Sequence, residues 1–393
     1  MDYKISNKTK RHILIIDALF MATGASFNYF KSSSLMPSLI KEFKFSYGLG
    51  GLFSGMFGIP VLTLSIPAGF LLPRLNLRGA ITLTSSLSII GSLIVSLTQE
   101  TSLLFLGRFL EGTGMALALV ISPYLISRFL TEEHVALGMG LLMLFNPLGN
   151  ILGMTICPFL LSIFGWRAAW LSGIFLPATA PIFLLKLNQT VHKVSISMKS
   201  YSKYLKERNL HLLGLLQLGL TFSSMGFLMW MPTYLNEIHM LDIKFASFIS
   251  SLFMVIGIPT PLLASLLVKK IKSRKKFLVI CFAASSILFP VSTLISGPLL
   301  LLHIIFLGLF AGLLPTIINL CMSELLGPLS SMGFGLLNLQ RGFSMFFGPM
   351  VMGVIRDVTD SWDLSFSTLS IFTIMSIAAA LLMHEPLTKH DRN

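Results

Sequence analysis

Leu35-Met36-Pro37-Ser38-Leu39 returns 195 residues later as Trp230-Met231-Pro232-Thr233-Tyr234-Leu235, with Pro37 landing on Pro232. The same shift carries Arg74 onto Lys269, each in a basic loop that follows a long apolar segment. It also carries Gly138-Met139-Gly140-Leu141-Leu142 onto Gly333-Phe334-Gly335-Leu336-Leu337. A repeat of this length, in a chain this apolar, marks two similar membrane-embedded halves with a site between them.

Outward from that repeat, the composition sets the class. The chain is 54% hydrophobic and 11% charged, with mean hydropathy +0.82, far from a soluble globular protein. Apolar runs long enough to cross about 30 Å of hydrocarbon recur throughout. The first half holds expected spans at 13–36, 47–70, 79–98, 102–127, 135–160 and 168–187. The second holds them at 211–233, 245–267, 277–296, 299–322, 331–354 and 364–383. No stretch is left over for a soluble domain. Backbone polar groups inside lipid must be satisfied internally, and the alternation of a membrane barrel is absent, so the spans are helices. The expected fold is an all-α membrane protein of twelve transmembrane helices in two pseudo-symmetric six-helix bundles. Residues 1–187 form one bundle, 188–210 a linker and 211–393 the other. This linker is the longest polar break; it reads as an amphipathic surface helix or a basic tether.

The net charge of +13 suggests a nucleic-acid binder until its placement is read. Of 29 Lys and Arg residues, 21 fall in the N-terminus, the even-numbered loops and the C-terminus. The odd-numbered loops hold five (Lys41, Lys44, Arg167, Lys244 and Arg356), and three lie inside spans. Positive loops stay cytoplasmic, so both termini are expected there, and the compact loops and short termini suggest, by analogy, a cell (inner) membrane. No nucleic-acid partner is expected. Cys157, Cys281 and Cys321 all lie within spans, which leaves neither a disulfide framework nor a metal-ligand cluster. Neither a cofactor nor a metal is expected. The first apolar segment exceeds a signal-peptide core and reads as the first membrane helix. There is no nucleophile elbow or phosphate loop, which argues against an enzyme.

Several motifs then resemble those of the major facilitator superfamily over essentially the full length. The six-plus-six layout, cytoplasmic termini and basic central loop are similar. The loop after span 2, Gly69-Phe70-Leu71-Leu72-Pro73-Arg74-Leu75-Asn76-Leu77-Arg78, matches the family's gate loop at Gly69, Arg74 and Arg78. Pro73 replaces its Asp and Asn76 its second Gly, so the family's usual gate relay is not expected. Arg108-Phe109-Leu110-Glu111-Gly112 resembles the fourth-helix Arg-x-x-x-Gly pattern. Phe145-Asn146-Pro147-Leu148-Gly149-Asn150 only loosely resembles the Gly-Pro motif of antiporters. Tyr29-Phe30-Lys31, ahead of Pro37, is similar to branches that move organic anions, cyanate- and nitrate-type anions or dipeptides.

Charges inside the bilayer are expensive and mark function. Arg341 lies about 15 Å into span 11, beyond snorkelling reach, and a guanidinium fork suits a carboxylate or phosphate. Asn338 and Gln340 beside it add polar character. Lys31 is expected to join Arg341 in clamping an anion from opposite halves, although a Lys stem at its depth can also snorkel. Asn146, the repeat counterpart of Arg341, is expected to face the same cleft, with Tyr29 and Gln217 as further substrate-binding candidates. Arg108 and Glu111 are three apart on one helix. They read either as a structural pair or as a proton site, with Glu111 protonatable. Asp17 is the second proton candidate, and His303 is expected to be a wetted residue near the outer surface.

The expected function is a monomeric secondary transporter of a small anionic or zwitterionic organic solute, proton-coupled and working by alternating access. Two alternatives stand: a multidrug or hydrophobic-solute exporter, and a transporter-like membrane sensor.

Overall fold

The computed structural model describes residues 8–71, 77–184, 207–271, 273–326 and 330–384. Every regular element among them is helical, as lipid requires of backbone groups that water cannot satisfy. The first half comprises α1 (Lys8–Phe43), α2 (Tyr47–Gly55), α3 (Gly58–Leu71), α4 (Leu77–Leu97), α5 (Thr101–Phe129), α6 (Glu132–Leu142), α7 (Phe145–Leu171) and α8 (Phe175–Leu184). The second comprises α9 (Arg208–Ile238), α10 (Ile243–Val255), α11 (Thr260–Ile271), α12 (Arg274–Val291), α13 (Pro298–Leu326), α14 (Ser330–Thr359) and α15 (Trp362–Leu382). Helix α9 begins inside the stretch expected as linker, most of which lies outside the described residues.

Nine stretches among the described residues are long and apolar enough to cross a membrane, and they reconcile with twelve spans. Spans 5 and 6 run together as Glu133–Pro181, turning at Gly165 with φ of 81°. Span 9 is the 18-residue α12, whose first turn is Arg274-Lys275-Lys276. Span 11 is α14, diluted by glycine and by Asn338, Gln340 and Arg341. The exterior carries apolar side chains such as Leu97, Phe159, Ile163, Leu262, Leu266 and Ile371, while Ser, Thr and charged groups are buried. This inversion of a soluble protein suits a lipid surround.

A proline inside a span does not by itself interrupt the helix. Pro37, Pro67, Pro123, Pro158, Pro232, Pro315 and Pro349 sit within helices. The breaks fall between α2 and α3, between α6 and α7, and between α10 and α11, each at the carbonyls that Pro60, Pro147 and the pair Pro259 and Pro261 leave without a helical donor.

The repeat reappears in the coordinates. Helix α1 ends at Phe43 and α9 at Ile238, again 195 apart, with Pro37 and Pro232 at matching depth. Ser33 Oγ donates to the Leu228 carbonyl at 2.5 Å across a separation of 195 residues, and to the Met229 carbonyl at 2.9 Å. Equivalent residues touch only on a symmetry axis, so the pseudo-two-fold runs between α1 and α9 here.

The halves meet through α1, α2, α3 and α7 on one side and α9, α10 and α14 on the other. The closest seam joins α2 and α3 to α14. A Cβ on Gly51 would lie 2.3 Å from the Pro349 carbonyl, one on Gly55 2.4 Å from that of Phe346, and one on Gly58 2.7 Å from that of Gly342. Only glycine permits that approach. The seam starts at the end where α1 stops and α2 begins, named the outer end after the expected orientation, and reaches inward to Gly342 against Leu62. Helix α9 starts at the opposite, inner end, where Asn209 Nδ2 donates to the His384 carbonyl.

Candidate functional site

Four groups of the first half converge on one carboxylate. Glu111, on α5, accepts from Lys31 Nζ at 2.7 Å, Ser92 Oγ at 2.6 Å and Trp170 Nε1 at 3.1 Å through Oε1. Its Oε2 accepts from Arg108 at 2.8 Å. Lys31 Nζ also reaches Asn28 Oδ1 at 2.7 Å, Ser92 Oγ at 2.9 Å and the Trp170 carbonyl at 3.1 Å. Arg108 donates to the Asn28 carbonyl at 2.7 Å and to Ser32 Oγ at 3.2 Å. Its guanidinium lies 4.7 Å from the ring centre of Phe57 and 5.3 Å from that of Trp170. Lys31, Arg108 and Glu111 are all fully buried. Two cations share one anion, so the cluster keeps one formal positive charge, spread over hydroxyls, carbonyls and aromatic faces.

The i,i+3 pair of Arg108 and Glu111 is therefore present and gains a third member. Lys31 neither snorkels nor faces a cleft in this conformation. Its ammonium has found a carboxylate, so a clamp shared with Arg341 is not assembled here. Tyr29 is likewise buried, stacked edge-on against Phe30 and Phe57, with its hydroxyl unpartnered.

Arg341 presents the opposite case. It sits in α14 about 16 Å from the helix start, just beyond the inner limit of the glycine seam, and is partly accessible. Among the described residues no hydrogen bond or ion pair engages its guanidinium. Asn338, one turn earlier on the same face, is also partly accessible. Gln340 lies against Gly214 of α9, while Gln217 is buried on that helix. Asn146 is partly accessible, and its Oδ1 accepts from Ser26 Oγ at 3.1 Å, an interhelical bond to α1.

Asp17 lies near the inner end of α1, 1% exposed, with both carboxylate oxygens unpartnered. Gly69 ends in α3 and Arg78 opens α4 at an exposed position. Arg74 lies outside the described residues. His303, expected to be wetted, is buried and pairs with Ser292 Oγ at 2.9 Å; helix packing shields it from the surface.

A cluster at the outer end escaped the sequence reading. Asp357, at the end of α14, accepts from the Tyr47 and Gly48 amides at 2.8 and 2.7 Å, capping α2 from the other half. Glu237 accepts from Tyr47 Oη at 3.0 Å and from Trp362 Nε1 at 3.2 Å. Both acids end apolar spans and read as solvated loop charges. The cue that existed was the density of Tyr47, Trp230, Tyr234 and Trp362 at neighbouring span ends.

Two helical bundles joined about a pseudo-two-fold, with an unpaired cation at their inner junction, form a multi-pass membrane transporter. The chain belongs to the Major Facilitator Superfamily, whose profile matches residues 18–349 and, separately, 241–393; this is a family of transporters, not enzymes. It is 23% identical over 382 residues to a quinolone resistance transporter of Acinetobacter baumannii, covering 88% of this chain and 86% of the relative. The fold resembles a bacterial homologue of the human lysosomal transporter Spinster in an inward-facing, unoccupied conformation. There the TM-score is 0.82 at 13% identity, covering 96% and 97% of the two chains. A mutant of the nucleoside transporter NupG superposes with TM-score 0.74 at 14% identity, covering 93% of this chain and 99% of that one.

Proposed function

We propose that the chain is a proton-coupled secondary transporter of a small anionic or zwitterionic organic solute, working by alternating access with Arg341 as the anion-binding group. The observation that carries this is a contrast between two intramembrane arginines. Arg108 is buried against carboxylate, carbonyl, hydroxyl and aromatic partners, whereas Arg341 is unpaired and partly accessible at the junction of the halves. A guanidinium in lipid needs a partner. A carboxylate-bearing substrate supplies one. Asn338 lies one turn away to orient the solute, and Asn146, the counterpart of Arg341 in the repeat, serves the same cleft from the opposite half. Lys31 and Tyr29 serve as framework in this conformation. The Lys and Arg asymmetry supports cytoplasmic termini and a cell-membrane location, and nothing in the arrangement calls for more than a monomer.

A second reading has its own support. The Acinetobacter relative is named for quinolone resistance, which favours an exporter of amphiphilic drugs. The two readings overlap if the drug carries a carboxylate and separate if it is a cation. A thermal-shift screen of detergent-purified protein against organic anions, dipeptides, inorganic anions and cationic drugs decides between them, with Arg341→Ala in parallel. A ligand at about 100 times its Kd stabilises the fold by about 2.7 kcal/mol. An anionic or zwitterionic hit that vanishes in Arg341→Ala is the expected result. A cationic hit that survives the substitution makes Arg341 structural and the exporter reading correct.

A further inference from the structure

We infer that Asp17, and not Glu111, is the proton-binding group, an assignment that rests on the transport reading above. Glu111 receives four donors, two of them cationic, and taking a proton would discard charge-assisted bonds that have no replacement in a closed core. Asp17 receives none. Both its oxygens are shut away from water, and none of the described residues gives either a donor, an environment that the neutral acid tolerates far better than the carboxylate. This conformation, closed at the outer end, therefore holds Asp17 with its proton.

Its position makes the proton consequential. Residues 17, 24 and 31 are spaced by heptads, so Asp17 shares one face of α1 with Lys31, about 21 Å away along the axis. Gly24, between them, packs against Leu176 and Pro177 of α8. The same helix touches the second half through Ser33. One rod thus carries the proton site at its inner end and the interhalf contact near its outer end. Among the described side chains, the titratable or charged groups on the elements around the inner part of α1 are Arg78 on α4, Tyr124 on α5, and Glu133 and His134 on α6. Arg208 and His211 on α9, and His12 on α1 itself, are the others among the described side chains. No hydrogen bond from any of them reaches Asp17. A rearrangement that wets Asp17 or brings it a donor releases the proton, so protonation favours the outer-closed state by linkage.

The test needs no substrate. A cysteine at position 229 (Met229→Cys, with the native cysteines replaced by serine) sits at the interhalf contact and reports outer opening to a membrane-impermeant maleimide. In the otherwise unaltered protein, labelling should be slow at acid pH and rise as the pH is raised. Asp17→Asn mimics the protonated acid, so it should stay slow at every pH. Asp17→Glu should restore the response, and Glu111→Gln should keep it if folded. Infrared spectra at neutral pH should show a protonated-carboxyl band that disappears in Asp17→Asn. A pH response that survives Asp17→Asn, or a band that persists in it, overturns the assignment. So does misfolding of Asp17→Asn, because the amide is an isostere of the neutral acid. Failure of the Arg341 experiment with success here would sink the anion reading alone.

Discussion

Glu111 is outnumbered. Lys31 and Arg108 both depend on it, and neither has another anion within hydrogen-bonding distance. Glu111→Gln therefore strands two buried cations and should destabilise the protein by about 3–5 kcal/mol. Lys31→Met removes the surplus charge, leaves the Arg108 and Glu111 pair balanced, and should cost clearly less. Thermal unfolding of the two variants in one detergent measures the order, and a lysine variant worse than the glutamine variant would contradict the charge count. The pairing of Arg108 with Glu111 was legible, because three residues along a helix are neighbours by geometry. The arrival of Lys31 was not, since 80 residues separate it from Glu111 and helix periodicity says nothing about which faces meet. Arg341 was legible for the converse reason: depth in a span is a property of one helix.

At the scale of elements, the outer closure is a junction between α2 and α14. Asp357 supplies the acceptor that two amides at the start of α2 lack within their own helix. A carboxylate there also complements the positive end of the α2 dipole. Aromatic rings of Tyr47, Trp230 and Trp362 pack around it. Because the acceptor and the amides belong to different halves, these bonds exist only when the outer end is shut. Asp357→Ala should weaken that state by about 1–3 kcal/mol, or roughly tenfold in population at 1.4 kcal/mol. Maleimide labelling of Met229→Cys at acid pH should rise by a similar factor. Unchanged labelling would make Asp357 a local cap with no part in closure. Span ends were the least legible elements. A charge there looks the same in sequence whether it meets water or the other half, and Pro60 and Pro147, four residues after the breaks at Met56 and Met143, read no differently from Pro37 and Pro158, which their helices absorb.

The whole molecule was legible as two bundles because composition and an internal repeat are properties of the chain at large. The face that stands closed was not. An alternating protein has one sequence for both closures, so the choice between them is an energy difference that no residue pattern displays. The seam from Gly353 against Tyr47 to Gly342 against Leu62 nevertheless makes alternation testable as one motion. A Cβ on Gly48 would lie 3.0 Å from the Val354 side chain, within the spacing of a disulfide once the chain relaxes. Gly48→Cys combined with Val354→Cys should therefore crosslink on oxidation and hold the outer end shut. If the halves rock about the axis near Ser33 and Leu228, the crosslink abolishes transport and thiol reduction restores it. Binding of the same ligand from the inner side, read by thermal shift, should persist throughout. Transport that continues in fully crosslinked protein would mean the substrate path avoids the seam between α2 and α14. The site would then have to lie within one half, away from Arg341.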